Sequence, residues 1–565
     1  MKNILIKNIF GSFLTLFLMF SCETTELDLS QNPNRLPLEN ADPRALLNGL
    51  PDVYIDFIDR MGEIGSRSTR LFSMSGNSST INSGIYSDFF SNSSDPDATL
   101  SGEDLLNAWN AYYRDFLPNM IAIEELALKN ESNVYDFHLA IVKIMKAHMA
   151  SVLVDYYGDI VYTEANNLLK YQFPKLDKGE DVYNECFTLL NEAVTLLETD
   201  PFTVNLDDRF YDGDATKWIK LANTLKLRMY KNMGNTSAFN AIIASGKFIA
   251  TSADDMVDLN TGANDRIPGD KFSQDYRSQN SRDYKSNWLM RTMVDLNDPR
   301  LRYYFYRQTN ANPEETELPC VTITPPSHYV GYDYCVIGNG YIGRAHGSDV
   351  FRGDEITDGD IVTMYGVYPY GGRFDDDSFE SVGEGGINGE GTDSGAKGVG
   401  IIPIVLASDV DFWRGQMASS VSDKANFLRA GLEKSITKVQ SFGANDATAD
   451  LSLAPNATAI TNYIDQVVAN YLSASGNAQE NIYAVQYFIS MYGNGLESYN
   501  YYRKTGYPTS LTPSWDPTPG PFPRSFLYPS SEVLNNPSIA EVNKKLTDQV
   551  FWDTNPASPA FPIAN

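Results

Sequence analysis

The chain has 565 residues, with 44 Lys+Arg against 72 Asp+Glu and a formal net charge of −28. A surface this acidic repels nucleic acid and anionic lipid headgroups, which argues against a nucleic-acid partner. The length is ample for a large core and, taken alone, for two to four domains.

The start, MKNILIKNIFGSFLTLFLMFSC, has Lys2 and Lys7 ahead of an apolar run from Ile9 to Phe20. That run is too short for a membrane span of ~20 apolar residues and reads as a secretory leader. Ser21 before Cys22, after a leucine-rich run, resembles a bacterial lipobox, although Met19 and Phe20 depart from the commoner residues. The resemblance implies a leader over 1–21 that is removed, and a Cys22 acylated through its sulfur. Two or three acyl chains hold a protein firmly to a membrane without spanning it. Losing Lys2 and Lys7 would take the charge to −30. Residues 22–43 are acidic and polar with Pro33 and Pro37, and read as an extended tether.

Residues 44–250 read as helical. Leu105, Trp109, Tyr112, Phe116, Met120 and Ile123 recur at helical spacing, with Pro118 as a kink. Phe137, Ile141, Ile144, His148 and Val152 form one face of a second helix; Tyr183, Phe187, Leu190, Val194 and Leu197 form one face of a third. Trp218, Leu221, Leu225 and Met229 mark a fourth, with Asp214 as its N-cap. Cys186 falls in the third and reads as a buried free thiol. Amphipathic helices joined by short links suggest stacked hairpins of tetratricopeptide type, without a clean 34-residue consensus. The predicted fold class is mainly α: a tetratricopeptide-like helical-hairpin superhelix with a large loop-rich region.

That loop-rich region covers 251–400, where Gly, Asp, Asn, Pro and Tyr crowd in and helical periodicity fades. RLRYYFYRQTN reads as a short helix or strand, and Cys320 and Cys335 flank a turn-rich stretch as a candidate disulfide. Helical pattern returns over 401–508, starting at about Pro403, and 509–565 is a Pro- and Ser-rich irregular tail.

Catalytic constellations do not emerge. His138, His148, His328 and His346 form no metal-ligand spacing, and His148 on an apolar face reads as a satisfied core histidine. No G-x-S-x-G elbow occurs, and GTDSGAKG (391–398) fails the phosphate-loop pattern. RGDEITDGD (352–360) and FDDDS (374–378) offer the oxygens calcium takes, yet neither has EF-hand spacing, and both read as solvated turns. No catalytic residue, metal ligand or cofactor is nominated.

Five strings then become informative in order: VDYYGDIVYTEA (154–165), GDATKWIKLANTLKLRM (213–229), DLNDPRLRYYF (295–305), ESYNYYRKTGYP (497–508) and FPRSFLYPSSEVLNN (522–536). Together with the lipobox they resemble the SusD/RagB-type nutrient-binding lipoproteins, in the SusD-like branch; Val161 stands where proline is frequent. Read physically, the strings define the fold rather than touch ligand. The resemblance implies a surface-exposed, lipid-anchored outer-membrane protein of Bacteroidetes type that is not an enzyme. Its implied partner is a SusC-like TonB-dependent transporter, to which it delivers an oligosaccharide or a peptide. A binding site needs aromatic faces and a few polar groups, which nominates Trp288, Tyr332, Tyr368, Tyr370 and Arg373. The alternatives are a surface glycoside hydrolase with scattered carboxylates, or a helical-repeat scaffold that binds only proteins.

Overall fold

The computed structural model describes residues 42–73, 103–129, 135–199, 208–261, 284–311, 319–347, 361–382, 395–515 and 522–556. The leader, Cys22, almost all of the tether and the 352–360 acidic cluster lie outside them. The description below concerns the unit Pro43–Asn565.

Helices dominate, and they pair along the chain. Asp136–Tyr157 packs on Gly179–Thr199, which packs on Ala215–Met233. Ala407–Met417, Val421–Ser441, Ala457–Ser473 and Gly476–Ser490 form a second succession in which each packs on the next. Most residues predicted to face inward do so: Trp109, Tyr112, Phe116, Ile144, Val152, Leu190, Trp218 and Leu225 are buried, while Phe187 and Val194 are half-buried against the same core. Asp214 caps its helix by accepting from the backbone N–H of Thr216 at 2.9 Å and of Lys217 at 3.3 Å. Asp136–Tyr157 is long and apolar enough to cross a membrane, at a mean hydropathy of 1.5, but 94% of its apolar window is buried inside the protein. It is the core helix.

Pro118 acts on the turn before it. Helix Glu103–Asn110 widens into a π-helical segment, Ala111–Phe116, and then continues as Leu117–Lys129. Proline has no N–H to donate and its ring crowds the carbonyl four residues back; the extra residue in the turn accommodates both, as π-bulges do. The Asn119 amide nitrogen takes up the Asp115 carbonyl at 2.8 Å.

Strands occur among the described residues only as two-stranded antiparallel ribbons. The longest pairs Met256–Thr261 with Val399–Val405, so the loop-rich excursion leaves and returns at one place. Pro403 is thus part of a strand, and the helix expected from it begins at Ala407. Val399–Val405 is apolar on both faces, which periodicity alone does not separate from a buried helix. The excursion itself carries the helix Asn287–Leu296. RLRYYFYRQTN is both of its alternatives, a short helix Leu301–Tyr304 running into a strand Phe305–Tyr306.

The five strings quoted from the sequence converge on buried charges. Asp155 accepts from Tyr183 and Arg228, from the Trp552 indole N–H at 2.8 Å and from Asn500 at 3.1 Å. Arg228 donates its Nε to Glu497 at 2.7 Å, and Lys231 donates to the other Glu497 oxygen. Arg300 grips Asp298 with Nε at 2.9 Å and Nη2 at 2.6 Å, and reaches Ser435 and Gln486 on two later helices at 3.1 Å each. Arg524 binds Asp553 bidentately at 2.8 and 2.6 Å. Arg503, fully buried, donates to the Arg524 carbonyl at 2.6 Å and lies over the Tyr499 ring. Lys504 caps Ala215–Met233, donating to the carbonyls of Lys231 and Asn232.

Arg228→Ala leaves two buried carboxylates with one cation fewer and is expected to lower the unfolding free energy by about 3–5 kcal/mol, read by urea denaturation at pH 7. Acid should act on the same cluster. Burial alone would raise the Glu497 carboxyl, but Lys231 and Arg228 overcome it and bring it from 4.5 to about 2. Such a depressed carboxyl stabilises the fold above its unfolded pKa and loses that contribution as pH falls through the folded one. His148, which shares a 2.7 Å hydrogen bond with the Tyr54 hydroxyl, is lowered from 6.5 to about 3, first by burial and then by Arg228. Its ring stays neutral in the fold but takes a proton when unfolded, so it acts in the same direction. Asp409 of the same cluster, which burial raises to about 8, acts the other way and offsets His148 between about pH 6.5 and 4, so Tm is expected to fall chiefly below about pH 4.5, and Glu497→Gln to flatten that fall.

Candidate functional site

A cleft of about 530 Å³ opens beside Asn287–Leu296. Successive turns of this helix place Asn287 and Trp288, then Arg291 and Thr292, then Asp295 along one stripe. The Ser286 side chain caps the helix by accepting from the Leu289 N–H at 3.2 Å, and its hydroxyl donates to the Arg70 carbonyl at 2.5 Å. Arg70 in turn donates Nε to the Thr512 carbonyl at 3.0 Å, which joins this wall to the opposite one, Ser510 and Thr512.

The third wall is the loop Gly331–Asp333. Gly331 sits at φ +100°, a left-handed conformation that a side chain would strain. Tyr332 after it is 41% exposed. Beneath lies a wholly buried Tyr329, whose ring is 5.4 Å from Tyr332 and 5.1 Å from Trp515; Trp515 stacks on Tyr334 at 3.8 Å. Asn287 holds the loop by donating to the carbonyls of Asp333 and Tyr334 at 3.1 and 2.6 Å. Arg291 clamps the Asp333 carboxylate with two 2.8 Å hydrogen bonds, and these raise its own pKa further above the usual range. Cys335, two residues on, is disulfide-bonded; the side chain of Cys320 lies outside the described residues. Cys186 is a buried free thiol, pushed up to about 12 by burial.

The cleft brings together Trp288 and Tyr332 of the five nominated residues. Trp288 is a wall, 4% exposed, edge-on to Phe488, with its N–H on Ser510 Oγ at 3.3 Å. Tyr368, Tyr370 and Arg373 are corrected to core residues. Tyr368 stacks on Tyr304 at 5.6 Å. Tyr370 packs among Phe72, Tyr365 and Tyr492. Arg373 lies over the Tyr306 ring and donates to Glu380 at 2.9 Å. In FDDDS, Asp375 is not solvated either: it is buried against Arg307 at 2.6 and 3.1 Å, while Arg302 and Arg307 both bind Asp377. Arg291, Asp295, Asp333 and Ser510 were not nominated. An Arg and an Asp four residues apart on a helix are readable; the approach of Asp333 and Ser510 comes from the tertiary fold.

A second space, about 20 Å³ and room for one water, lies between His148, Arg228, Asp409 and Glu497. There burial raises Asp409 to about 8. It belongs to the buried charge cluster. Among the described residues no group of three or more His, Cys, Asp or Glu is placed to hold a metal. What the cleft offers is an aromatic face, hydroxyls, a guanidinium and carboxylates, a set suited to holding a polyhydroxylated ligand.

A family model, SusD-like, described as starch-binding and associating with the outer membrane, matches residues 85–319 and 404–529. A comparison with curated proteins finds no match. Among solved structures, one named a chitin-binding protein superposes with a TM-score of 0.63 at 21% identity, covering 91% of this chain and 100% of its own. A SusD/RagB family protein from Bacteroides thetaiotaomicron gives 0.63 at 16% identity over 92% and 100%. A SusD homologue from Bacteroides ovatus gives 0.61 at 19% over 91% and 99%. These likenesses establish the mainly α fold.

The two groups of tyrosines should part on mutation. Tyr370→Ala empties a buried ring site and is expected to cost about 3 kcal/mol or more. Tyr332→Ala, at an exposed ring, should stay within about 0.5 kcal/mol of the parent. Thermal and urea unfolding of both variants check this.

Proposed function

The chain belongs to the SusD/RagB-like family of starch-binding proteins that associate with the outer membrane, and from that premise we propose that it is a surface lipoprotein which captures an oligosaccharide in the Trp288–Tyr332 cleft. In this reading the Cys22 acyl chains moor it and a SusC-like TonB-dependent transporter receives the ligand. The observation that carries the reading is the exposed Tyr332 ring, set on the Tyr329–Trp515–Tyr334 stack over a cleft of about 530 Å³. A pyranose presents a C–H face that packs on such a ring, and hydroxyls that reach Thr292, Ser510 and the charged pair beside it. The name of the chitin-binding neighbour puts N-acetylglucosamine oligomers beside starch fragments as ligands to try. Support for a protein partner comes from the loop between Asp136–Tyr157 and Gly179–Thr199, where Leu168, Leu169 and Phe173 stand exposed.

Calorimetric titration of the mature chain with a glycan and peptide panel tests the binding reading. Saturable binding of an oligosaccharide without release of shorter products is expected, and Tyr332→Ala should weaken it about three- to tenfold. Sustained product release would replace the binder with a hydrolase; binding of peptides alone would move the ligand class. Cys22→Ala is expected to keep ligand affinity and to lose acyl labelling and retention on the outer membrane, checked by metabolic labelling with a fatty acid and by fractionation.

A further inference from the structure

The cleft carries one guanidinium and two carboxylates, and they are not equivalent. Arg291 uses its Nε and Nη2 on the two oxygens of Asp333 at 2.8 Å each, and Nη2 again on the Ile337 carbonyl at 2.7 Å. That pair is closed on itself. Asp295 is different: its side chain is 62% exposed, and its nearer oxygen stands 3.6 Å from Arg291 Nη1, longer than a hydrogen bond. The cleft therefore presents, side by side, a guanidinium edge with N–H groups to give and a carboxylate with lone pairs to accept. Its cation is largely committed to Asp333, so the charge left for a ligand to meet is negative.

Neighbouring hydroxyls of a pyranose suit this pair, because each hydroxyl donates and accepts. One takes the Nη1 hydrogen while the next gives its own to Asp295. An amine suits it as well, as a donor to the carboxylate. The carboxylate of a uronate or a sulfate group does not, since the group itself has no hydrogen for Asp295 and lies beside a like charge on a protein already at −28.

We propose that Asp295 makes this cleft select its glycan by charge, admitting neutral or amine-bearing pyranosides and rejecting uronic acids and sulfated sugars. The proposal rests on the reading of the cleft as a glycan site and deepens it by naming the substrate class.

Matched ligands that differ only in charge provide the test: maltohexaose against the same chain carboxylated at C6, and an N-acetylglucosamine hexamer against its deacetylated form, titrated calorimetrically into the parent protein and Asp295→Asn. In the parent, the carboxylated chain is expected to bind about tenfold or more weakly than its neutral form, and the amine-bearing chain at least as well as its acetylated form. Added salt should narrow the gap. Asp295→Asn should reduce the gap to less than about threefold while leaving Tm unchanged, because the side chain is exposed. Equal affinity of the parent for the carboxylated and neutral chains, or an undiminished gap in Asp295→Asn, would overturn the charge selection and leave the site standing. Absence of binding by any neutral glycan, or binding untouched by Tyr332→Ala, would remove the site itself and the selection with it.

Discussion

Arg228 is the constraint on which the rest of the structure depends. A guanidinium this deeply buried is tolerated only where carboxylates and further donors surround it. Here Asp155 comes from one helical pair, Glu497 from the helix Leu496–Thr505, and the Asp155 carboxylate is completed by Tyr183, Asn500 and Trp552. Segments far apart in sequence must therefore arrive together. Trp552 shows the consequence for the tail, which has little regular structure yet is anchored in the core.

The cleft hangs from this cluster and from its counterpart around Arg300. From Glu497 the chain runs through Leu496–Thr505 directly to Ser510 and Thr512, one wall of the cleft. Arg300 and Asp298 lie just past the helix Asn287–Leu296, the other wall, and tie its end to Ser435, Gln486 and the Tyr463 hydroxyl. Arg70 closes the triangle between Ser286 and Thr512. These two walls are thus tied to buried, charge-assisted hydrogen bonds, and the loop that carries Tyr332 is held by Asn287, Arg291 and aromatic stacking.

This explains what the sequence could and could not disclose. Helical faces were legible because a core on one side leaves a period of three to four. The five quoted strings were legible as fold-defining, and Asp155, Arg228, Asp298, Arg300, Arg503 and Arg524 are indeed buried. Pro403 misled because a strand buried on both sides has no alternation to display. Tyr368 and Tyr370 misled for a related reason: a glycine- and tyrosine-rich stretch reads as surface loop, and nothing local says that Phe72, Tyr304 and Tyr492 will cover it. Trp288 and Tyr332 have the same composition around them. They share the cleft because Asn287 and Arg291 draw the 331–333 loop onto their helix, a contact across more than 40 residues that no spacing rule contains.

Such a cleft has its ordering cost met at folding rather than at binding. Tyr332 rides on Tyr329, Trp515 and Tyr334, and Asp333 is already held by Arg291, so a ligand immobilises few protein side chains. Under the proposed function, weak individual contacts, a ring face and a few hydroxyl bonds, would then suffice for capture while still permitting release. Two buried ion-pair clusters that do not line the cleft hold its walls, so that under the proposed function the exposed contacts can be few and shallow.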